Sequence, residues 1–530
     1  MTCIMKTISI LNHVLGPVMR GPSSSHTAGA YHVGCMARSI LGAVPASAVL
    51  AFDPSGSYCV TYVPQGADRG FAMGLMGKDL TDELFHASLA EAVAVGMDLR
   101  FEVRPLELAD HPNTVEMQLT GADGRRVQIV ARSVGGGEVE ITHIDQIPVL
   151  FNGAAWETLV ETSSEKKTEV LELLKEKTGD VEELDHDPGN GAVRFQMRSH
   201  ESLGPEMREA LEKLAPEIRI WESAPVYFPQ QGAPIYTSAA EMVQLCEERH
   251  VSLGQLALEY ESQLLGLTPD EVISESLRRY SIMVQSVERG LALDFTGLQL
   301  LPACAGAIFA AESEGNLSVR SLHTRAAARA MAVMHVDGAM GVVCAAPTGG
   351  SAGVIPGALL TLAEERNLSD EQIAKAFLTA GAIGSILAIR ATFAAEVAGC
   401  QVEIGASGAM AAAAIVDAVG GSARQACDAA AISFQNTMGT VCDLLHGMVE
   451  IPCHTRNGTA AASAFVNADL VLGGYPNPIP LDETIDAVYA VGLAMPSELR
   501  CTSKGGLAVT PSALALLDSC CGSGCSSCGQ

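Results

Sequence analysis

AWETLVETS (155–163), SEKKTEVLELLKEKTG (164–179), VEELDHD (181–187), AVRFQMRS (192–199), GPEMREALEKLA (204–215) and EIRIWESAPVY (217–227) succeed one another in the order strand, helix, strand, strand, helix, strand. The helical stretches are built from Glu, Lys and Leu, the strand stretches carry most of the Val, Ile, Thr, Phe and Trp, and Gly189 and Gly191 punctuate the central hairpin. This βαββαβ order predicts a ferredoxin-like unit over 151–230. That span carries 17 acidic and 9 basic residues, so 26 of its 80 residues are charged, as suits a small domain with much surface. FPQQGAP (228–234) then reads as a linker.

On the N-terminal side, residues 1–150 are expected to form a mixed α+β domain. VLAFDPSGSYCVTYV (49–63) reads as a hairpin-like pair of strand segments around Pro-Ser-Gly-Ser. TVEMQLTGADGRRVQIVARSVGGGEVEITHI (114–144) reads as strands broken by Ala-Asp-Gly and by Gly135-Gly136-Gly137, with Val115, Met117 and Leu119, then Val127, Ile129 and Ala131, alternating as half-buried strands do. From Tyr236 onward the signals are helical, each early segment opening on Ser, Thr or Thr-Pro. Residues 291–530 hold only 20 acidic and 10 basic residues, 30 of 240, and their Ala- and Gly-rich segments predict helices packed through small residues around a buried core. The expected organisation is therefore an α+β domain (1–150), a ferredoxin-like domain (151–230), a mainly α-helical domain (231–517) and a Cys-rich tail (518–530).

Composition sets outer limits. With 530 residues, 48% hydrophobic and 18% charged, and a mean hydropathy of +0.23, the chain is neither disordered nor a coiled coil nor a small disulfide scaffold. The net charge of -28 repels a phosphate backbone, so nucleic acid is not an expected partner. No run of about 18 apolar residues suggests a bilayer span, since AFLTAGAIGSILAI (376–389) is bounded by Lys375 and Arg390. His13 interrupts the apolar stretch near the N-terminus and no small-residue cleavage site follows it, so a soluble, cytoplasmic protein without a membrane partner is expected. In a reducing compartment, fifteen cysteines mean buried small hydrophobes, metal ligands or redox groups. Cys3, Cys35, Cys246 and Cys304 read as buried or ordinary packing residues.

Three stretches carry the candidate chemistry. GPSSSHTAGA (21–30) presents Ser23, Ser24, Ser25, His26 and Thr27 ahead of a helix, where hydroxyls and backbone N–H groups can cradle an anion. APTGGSAGVIPG (346–357) offers Thr348, Gly350 and Ser351 among glycines that let backbone approach a ligand. Either motif alone reads first as an ordinary helix-capping loop. The third feature is a set of cysteines, Cys400, Cys442 and Cys453, separated by 42 and 11 residues with no CxxC among them. That spacing excludes a zinc finger or ferredoxin pattern, and leaves open three dispersed thiolates meeting around one soft metal with a free coordination position.

GPSSSHT, APTGGSAGVIPG, GCQVEIGASGAMAAAA, CDLLHGMVEIPC and the following Arg456-Asn457 together resemble the iron–sulfur-dependent L-serine dehydratases. The resemblance covers nearly the whole chain, as a β-subunit-like part with an ACT-like domain (1–230) fused to an α-subunit-like part. It implies a [4Fe-4S] cluster on Cys400, Cys442 and Cys453, no pyridoxal phosphate, a small amino-acid substrate, and loops around Ser23–Thr27 and Thr348–Ser351, with Arg456 and Asn457, that bind it. An open iron acting as Lewis acid addresses both the weak acidity of the serine α-proton and the poor leaving ability of hydroxide. ACT modules commonly pair, which implies a homodimer.

Two departures from the family pattern stand out. Family members usually carry Gly-His-Gly-Thr-Asp where this chain has Pro64-Gln65-Gly66-Ala67-Asp68, and an amide at Gln65 cannot serve as general base. By chain position His26 and His143 are the remaining candidates, His26 the stronger because of its motif. The other departure is the tail SCCGSGCSSCGQ, where by analogy a thiol such as Cys525 or Cys528 caps the fourth iron, set against a plain Gly/Ser tail with exposed thiols. The leading expectation is a serine-deaminating lyase. Set against it are the same chemistry on another β-hydroxy acid or on L-cysteine, and a non-catalytic amino-acid sensor, which the three cysteines disfavour.

Overall fold

The computed structural model describes residues 7–184 and 191–520. A short strand β1 (Val18–Arg20) leads through a π-helical turn, Ser24–Ala28, into helix α1 (Gly29–Leu41). Strands β2 (Ser47–Phe52), β3 (Asp98–Val103), β4 (Thr114–Thr120), β5 (Arg126–Gly135), β6 (Glu138–Ile144) and β7 (Ile147–Phe151) form one sheet in the order β3-β2-β4-β5-β6-β7. Only the β2–β3 pair is parallel. The alternation on β4 and β5 places Val115, Met117, Leu119, Val127, Ile129 and Ala131 in the core. Helix α2 (Ala67–Met76) lies against α1 so closely that a Cβ on Gly74 would sit 2.3 Å from the Tyr31 carbonyl oxygen.

Residues 49–63 are not a hairpin. The strand ends at Phe52, and Tyr58–Thr61 is a helical turn. Tyr58 and Thr61 are buried whereas Val60 and Val63 are exposed, a spacing of three rather than two that turns the β-branched run into a helix. Tyr58 packs its ring against Phe52 and, edge-on, against His26.

Strands β8 (Trp156–Ser163), β9 (Val181–Glu183), β10 (Ala192–Ser199) and β11 (Arg219–Ser223) make a second sheet, in the order β11-β8-β10-β9 with every pair antiparallel. Helices α3 (Lys167–Lys177) and α4 (Gly204–Leu214) complete a βαββαβ unit whose core contains Val160, Val170, Leu174, Phe195, Met197 and Leu211. Gly189 lies outside the described residues. Residues 228–234 carry no regular structure.

The C-terminal part is helical apart from β12 (Val342–Cys344), which pairs antiparallel with β1. Its main helices are α5 (Pro269–Gly290), α6 (Leu322–Gly338), α7 (Val354–Arg366), α8 (Asp370–Arg390), α9 (Ile404–Ala418), α10 (Ala423–Thr437) and α11 (Cys453–Leu472). Capping boxes start α5 (Thr268 with Glu271), α8 (Ser369 with Gln372) and α10 (Ser422 with Gln425). Helix α9 is buried from Ile404 to Val416 and packs against α8, α10 and α11. Small residues permit this closeness: a Cβ on Gly353 would stand 2.2 Å from the Ala330 carbonyl oxygen.

Helix α8 is long and apolar enough by composition to cross a membrane, but 83% of its most apolar window is buried inside the protein. The segment Ile8–Leu15 threads into this helical core. There Glu261, fully buried, accepts hydrogen bonds from the backbone of Ile10 and Leu11 and from the Ser9 hydroxyl. That anchor and the β1–β12 pairing fix the Ser24–Ala28 turn against the helical half.

Candidate metal centre

Where the two halves meet, a cavity is lined by Pro22, Ser23, Ser25, His26 and Gln65 from the sheet side and by Gly350, Ala395, Glu396, Cys400, Glu403, Ile404, Cys442, Leu444, Val449, Cys453 and Cys501 from the helical side. Each wall is set by local chain chemistry. Ser23 has extended backbone and its Oγ accepts from the His26 N–H at 3.2 Å, opening the turn as an N-cap. Thr27 donates its hydroxyl to the Gln65 carbonyl at 2.6 Å and so holds the loop before α2 against that turn. Gly399, with φ of 75°, swings the chain into Cys400; a Cβ there would meet the Thr440 carbonyl oxygen and the Met495 sulfur at 2.8 Å.

The thiols come from four separate segments. Cys400 follows Gly399 in a short 3₁₀ turn, Cys453 is the first residue of α11, and Cys442 bridges Arg500, the residue just before Cys501. The Cys442 N–H donates to the Leu499 carbonyl at 2.9 Å, and the Cys501 N–H to the Cys442 carbonyl at 3.0 Å. Donor atoms of Cys400, Cys442 and Glu403 all lie within 4.8 Å of one another. A hydrogen bond with Cys442, reinforced by burial, raises the Cys400 thiol well above its ordinary value, and burial does the same to Cys453. Burial, with Glu396 nearby, pushes Glu403 up to about 8 against a hydrogen bond from Thr348.

His26 is the titratable group of the sheet wall. Its Nε2 lies 3.0 Å from the Ser57 hydroxyl, and its Nδ1 lies 3.1 Å from Ser23 Oγ, 3.4 Å from Ser25 Oγ and 3.5 Å from Glu396 Oε1. Burial holds this imidazole below 6.5, against the opposing pull of Glu396. Glu396 Oε1 also accepts from Ser25 Oγ at 3.0 Å and from Asn113 Nδ2 at 3.3 Å.

Of the residues singled out in the sequence, Ser23, Ser25, His26, Gly350, Cys400, Cys442 and Cys453 line the cavity. The others sit behind it. Ser24 is buried with its hydroxyl unpartnered, and Thr348 and Ser351 bond each other at 3.0 Å. Asn457 ties Gly350, Gly353 and Cys453 together. Arg456 reaches Cys400 Sγ (3.8 Å), the Val441 carbonyl (2.9 Å) and Asp443 (3.0 Å).

His143 does not join them. It lies on β6, paired with Val130 on one side and Pro148 on the other, and bonds its neighbour Thr142. Cys525 and Cys528 lie outside the described residues. Cys501 and Glu396 were not legible as site residues in the sequence, yet both line the cavity. Glu403 had a signal, three residues after Cys400 on the same short turn.

The donor set is soft, buried and crowded. Four thiols and two carboxyl groups face one cavity, none of the ten cysteines with described side chains is in a disulfide, and the thiols are costly to ionise without a cation to offset their charge. These residues fit an iron–sulfur group, and the fold and site together define the class as that of a metal-dependent enzyme.

Comparison with known proteins gives the family. Residues 188–508 match the model of the serine dehydratase alpha chain. The chain is 36% identical over 277 residues to the probable L-serine dehydratase, alpha chain, of Bacillus subtilis, covering 52% of this chain and 92% of that one. It is 36% identical over 272 residues to the L-serine dehydratase, alpha chain, of Peptoniphilus asaccharolyticus (51% and 93%), and 32% identical over 297 residues to L-serine dehydratase 2 of Escherichia coli (54% and 64%). The chain belongs to the serine dehydratase alpha-chain family, as its motifs led one to expect.

Proposed function

We propose that this cavity converts L-serine to pyruvate and ammonia around a [4Fe-4S] cluster held by Cys400, Cys442 and Cys453. The observation that carries the reading is the convergence of these three thiols, from separate segments, on the same cavity as a buried, neutral imidazole. When bound, the cluster supplies Lewis acidity toward the substrate's hydroxyl and carboxylate. The protein supplies the rest. In the tautomer that gives Nε2–H to Ser57, Nδ1 of His26 is the free acceptor, beside Ser23 and Ser25. It takes the α-proton as the β-hydroxide leaves, and Glu396 Oε1 then faces the imidazolium. The aminoacrylate released tautomerises and hydrolyses to pyruvate and ammonia. Ser23, Ser25 and the Gly350 backbone line the space for the substrate, while Ser24, Thr27, Thr348, Ser351, Arg456 and Asn457 hold the lining in place.

The test is anaerobic reconstitution with iron and sulfide, followed by pyruvate release from L-serine. Iron-loaded protein that forms no pyruvate refutes the assignment. We assign residues 1–150 to a β-subunit-like domain, 151–230 to an ACT-like regulatory domain and 231–517 to the catalytic domain. The sheet order β11-β8-β10-β9 supports the second of these. Pairing of two such units would make a homodimer, which sedimentation tests. Free thiols throughout the described residues accord with a cytoplasmic setting.

A further inference from the structure

The cavity wall carries more acceptor oxygen than the protein itself satisfies. Glu396 is 6% exposed, and beyond the bonds to its Oε1 its buried Oε2 has no hydrogen-bond partner. Gln65 is 1% exposed and gives its Nε2 to the Gly447 carbonyl at 2.9 Å. That is the side-chain hydrogen bond Gln65 makes, and it sets the amide with Nε2 toward Gly447 and Oε1 on its other side. Both side chains line the cavity, Glu403 adds a second carboxyl, and no lysine or arginine is among the lining residues. A buried carboxylate oxygen without a donor is costly, and a ligand bringing several N–H donors and a positive charge removes that cost.

We propose that Glu396 Oε2 and Gln65 Oε1 seat the substrate's α-ammonium group, so that the site selects a small α-amino acid over a hydroxy acid or a dicarboxylate. The inference rests on the serine-processing reading of the cavity and names the residues that recognise the amino group. It also gives Gln65 a role that an imidazole there would fill less well. A neutral histidine accepts at one nitrogen only, whereas the tethered amide presents a fixed oxygen in every protonation state of its surroundings. A hydroxy acid offers a neutral hydroxyl in place of three charged N–H donors. A second carboxylate would set negative charge against Glu396, with no lysine or arginine among the lining residues to offset it.

Calorimetric titration of the anaerobically reconstituted protein tests this with L-alanine and L-lactate, which have equal size and lack the leaving hydroxyl, and with malate as the dicarboxylate. L-Alanine is expected to bind about tenfold or more tightly than L-lactate or malate, as a charge-assisted hydrogen bond implies. Gln65→Met, close in size and without the acceptor, is expected to weaken L-alanine about tenfold and leave L-lactate unchanged, with Gln65→Glu restoring the preference. Equal affinity for alanine and lactate, or equal weakening of both by Gln65→Met, overturns the proposal. Should Gln65→Met fail to fold, the ligand panel on the unmodified protein and on Gln65→Glu decides. Pyruvate release from serine is scored separately. A preference for alanine without pyruvate keeps the ammonium seat and refutes the lyase, and pyruvate without the preference does the reverse.

Discussion

Asn457 offers a sharp test of whether a residue picked from the sequence as a substrate ligand is instead a brace. Its side chain is fully buried, with Oδ1 accepting from the Gly353 N–H at 3.1 Å and Nδ2 donating to the carbonyls of Gly350 and Cys453 at 2.9 Å. It therefore ties the loop bearing Gly350 to the first turn of α11, where Cys453 sits. Asn457→Ala strands the Gly353 N–H and the Gly350 carbonyl. At about 1–3 kcal/mol for each buried unpaired group, less what local relaxation recovers, the loss is about 2–5 kcal/mol. For a cooperative unit of some 250 residues this lowers the melting temperature by roughly 5–15 °C. Circular dichroism melts of the metal-free protein measure the stability, and initial rates at 20 °C measure catalysis. The expected result is a lower melting temperature with a lower kcat, since Gly350 lines the cavity. Unchanged melting with a raised KM for L-serine at constant kcat would refute the brace and make Asn457 a direct ligand.

Cys442→Ala is expected to lose the bound iron and the serine activity together, whereas Cys501→Ala keeps the three-cysteine set and its iron stoichiometry; equal iron loss in the two refutes that set. Because burial holds His26 below 6.5, the imidazole is neutral at pH 7 and able to take a proton, so kcat/KM for L-serine should fall only on the acid side of 6.5. Glu396→Gln removes the influence that raises the His26 value and should move that acid limb to lower pH, read from the pH–rate profile. His26→Asn should cost about 10²–10⁴ in kcat, and an unchanged kcat would rule it out as the base. Gly290→Ala puts a Cβ 1.9 Å from the Ala332 carbonyl oxygen across the α5–α6 contact, so urea denaturation should show a loss of about 1–3 kcal/mol or more.

What the sequence revealed and what it hid have physical reasons. The βαββαβ unit was readable because its helices and strands alternate in composition and each is long enough to show its period. The stretch 49–63 misled because β-branched residues sit at strand-like density there, and only the burial of Tyr58 and Thr61 against the sheet shows the helical spacing. Cys400, Cys442 and Cys453 were legible through short motifs. Cys501 was not, since it sits alone in LRCTSKGG and reaches the cavity only through its backbone pairing with Cys442. Chain position put His143 forward as a base, yet strand pairing holds it on β6 away from the cavity.

The division of labour across the cavity follows from what each half can hold. Crowded thiols need deep burial and a cation, and the helical half, with its low charge and its α9 buried along most of its length, provides walls of apolar and small side chains around them. A base and its partners need hydroxyls and N–H groups at a turn, and the π-helical turn ahead of α1 provides these at the edge of the sheet domain. Neither half carries both sets. Their relative placement depends on β1 pairing with β12 and on Ile8–Leu15 lodged in the helical core by Glu261. Glu396 then links the two, since its carboxylate belongs to the helical half while its bonds run to Ser25 and Asn113 of the sheet half. The same side chain thus bonds the turn that bears His26, joins the two halves and keeps its Oε2 without a hydrogen-bond partner.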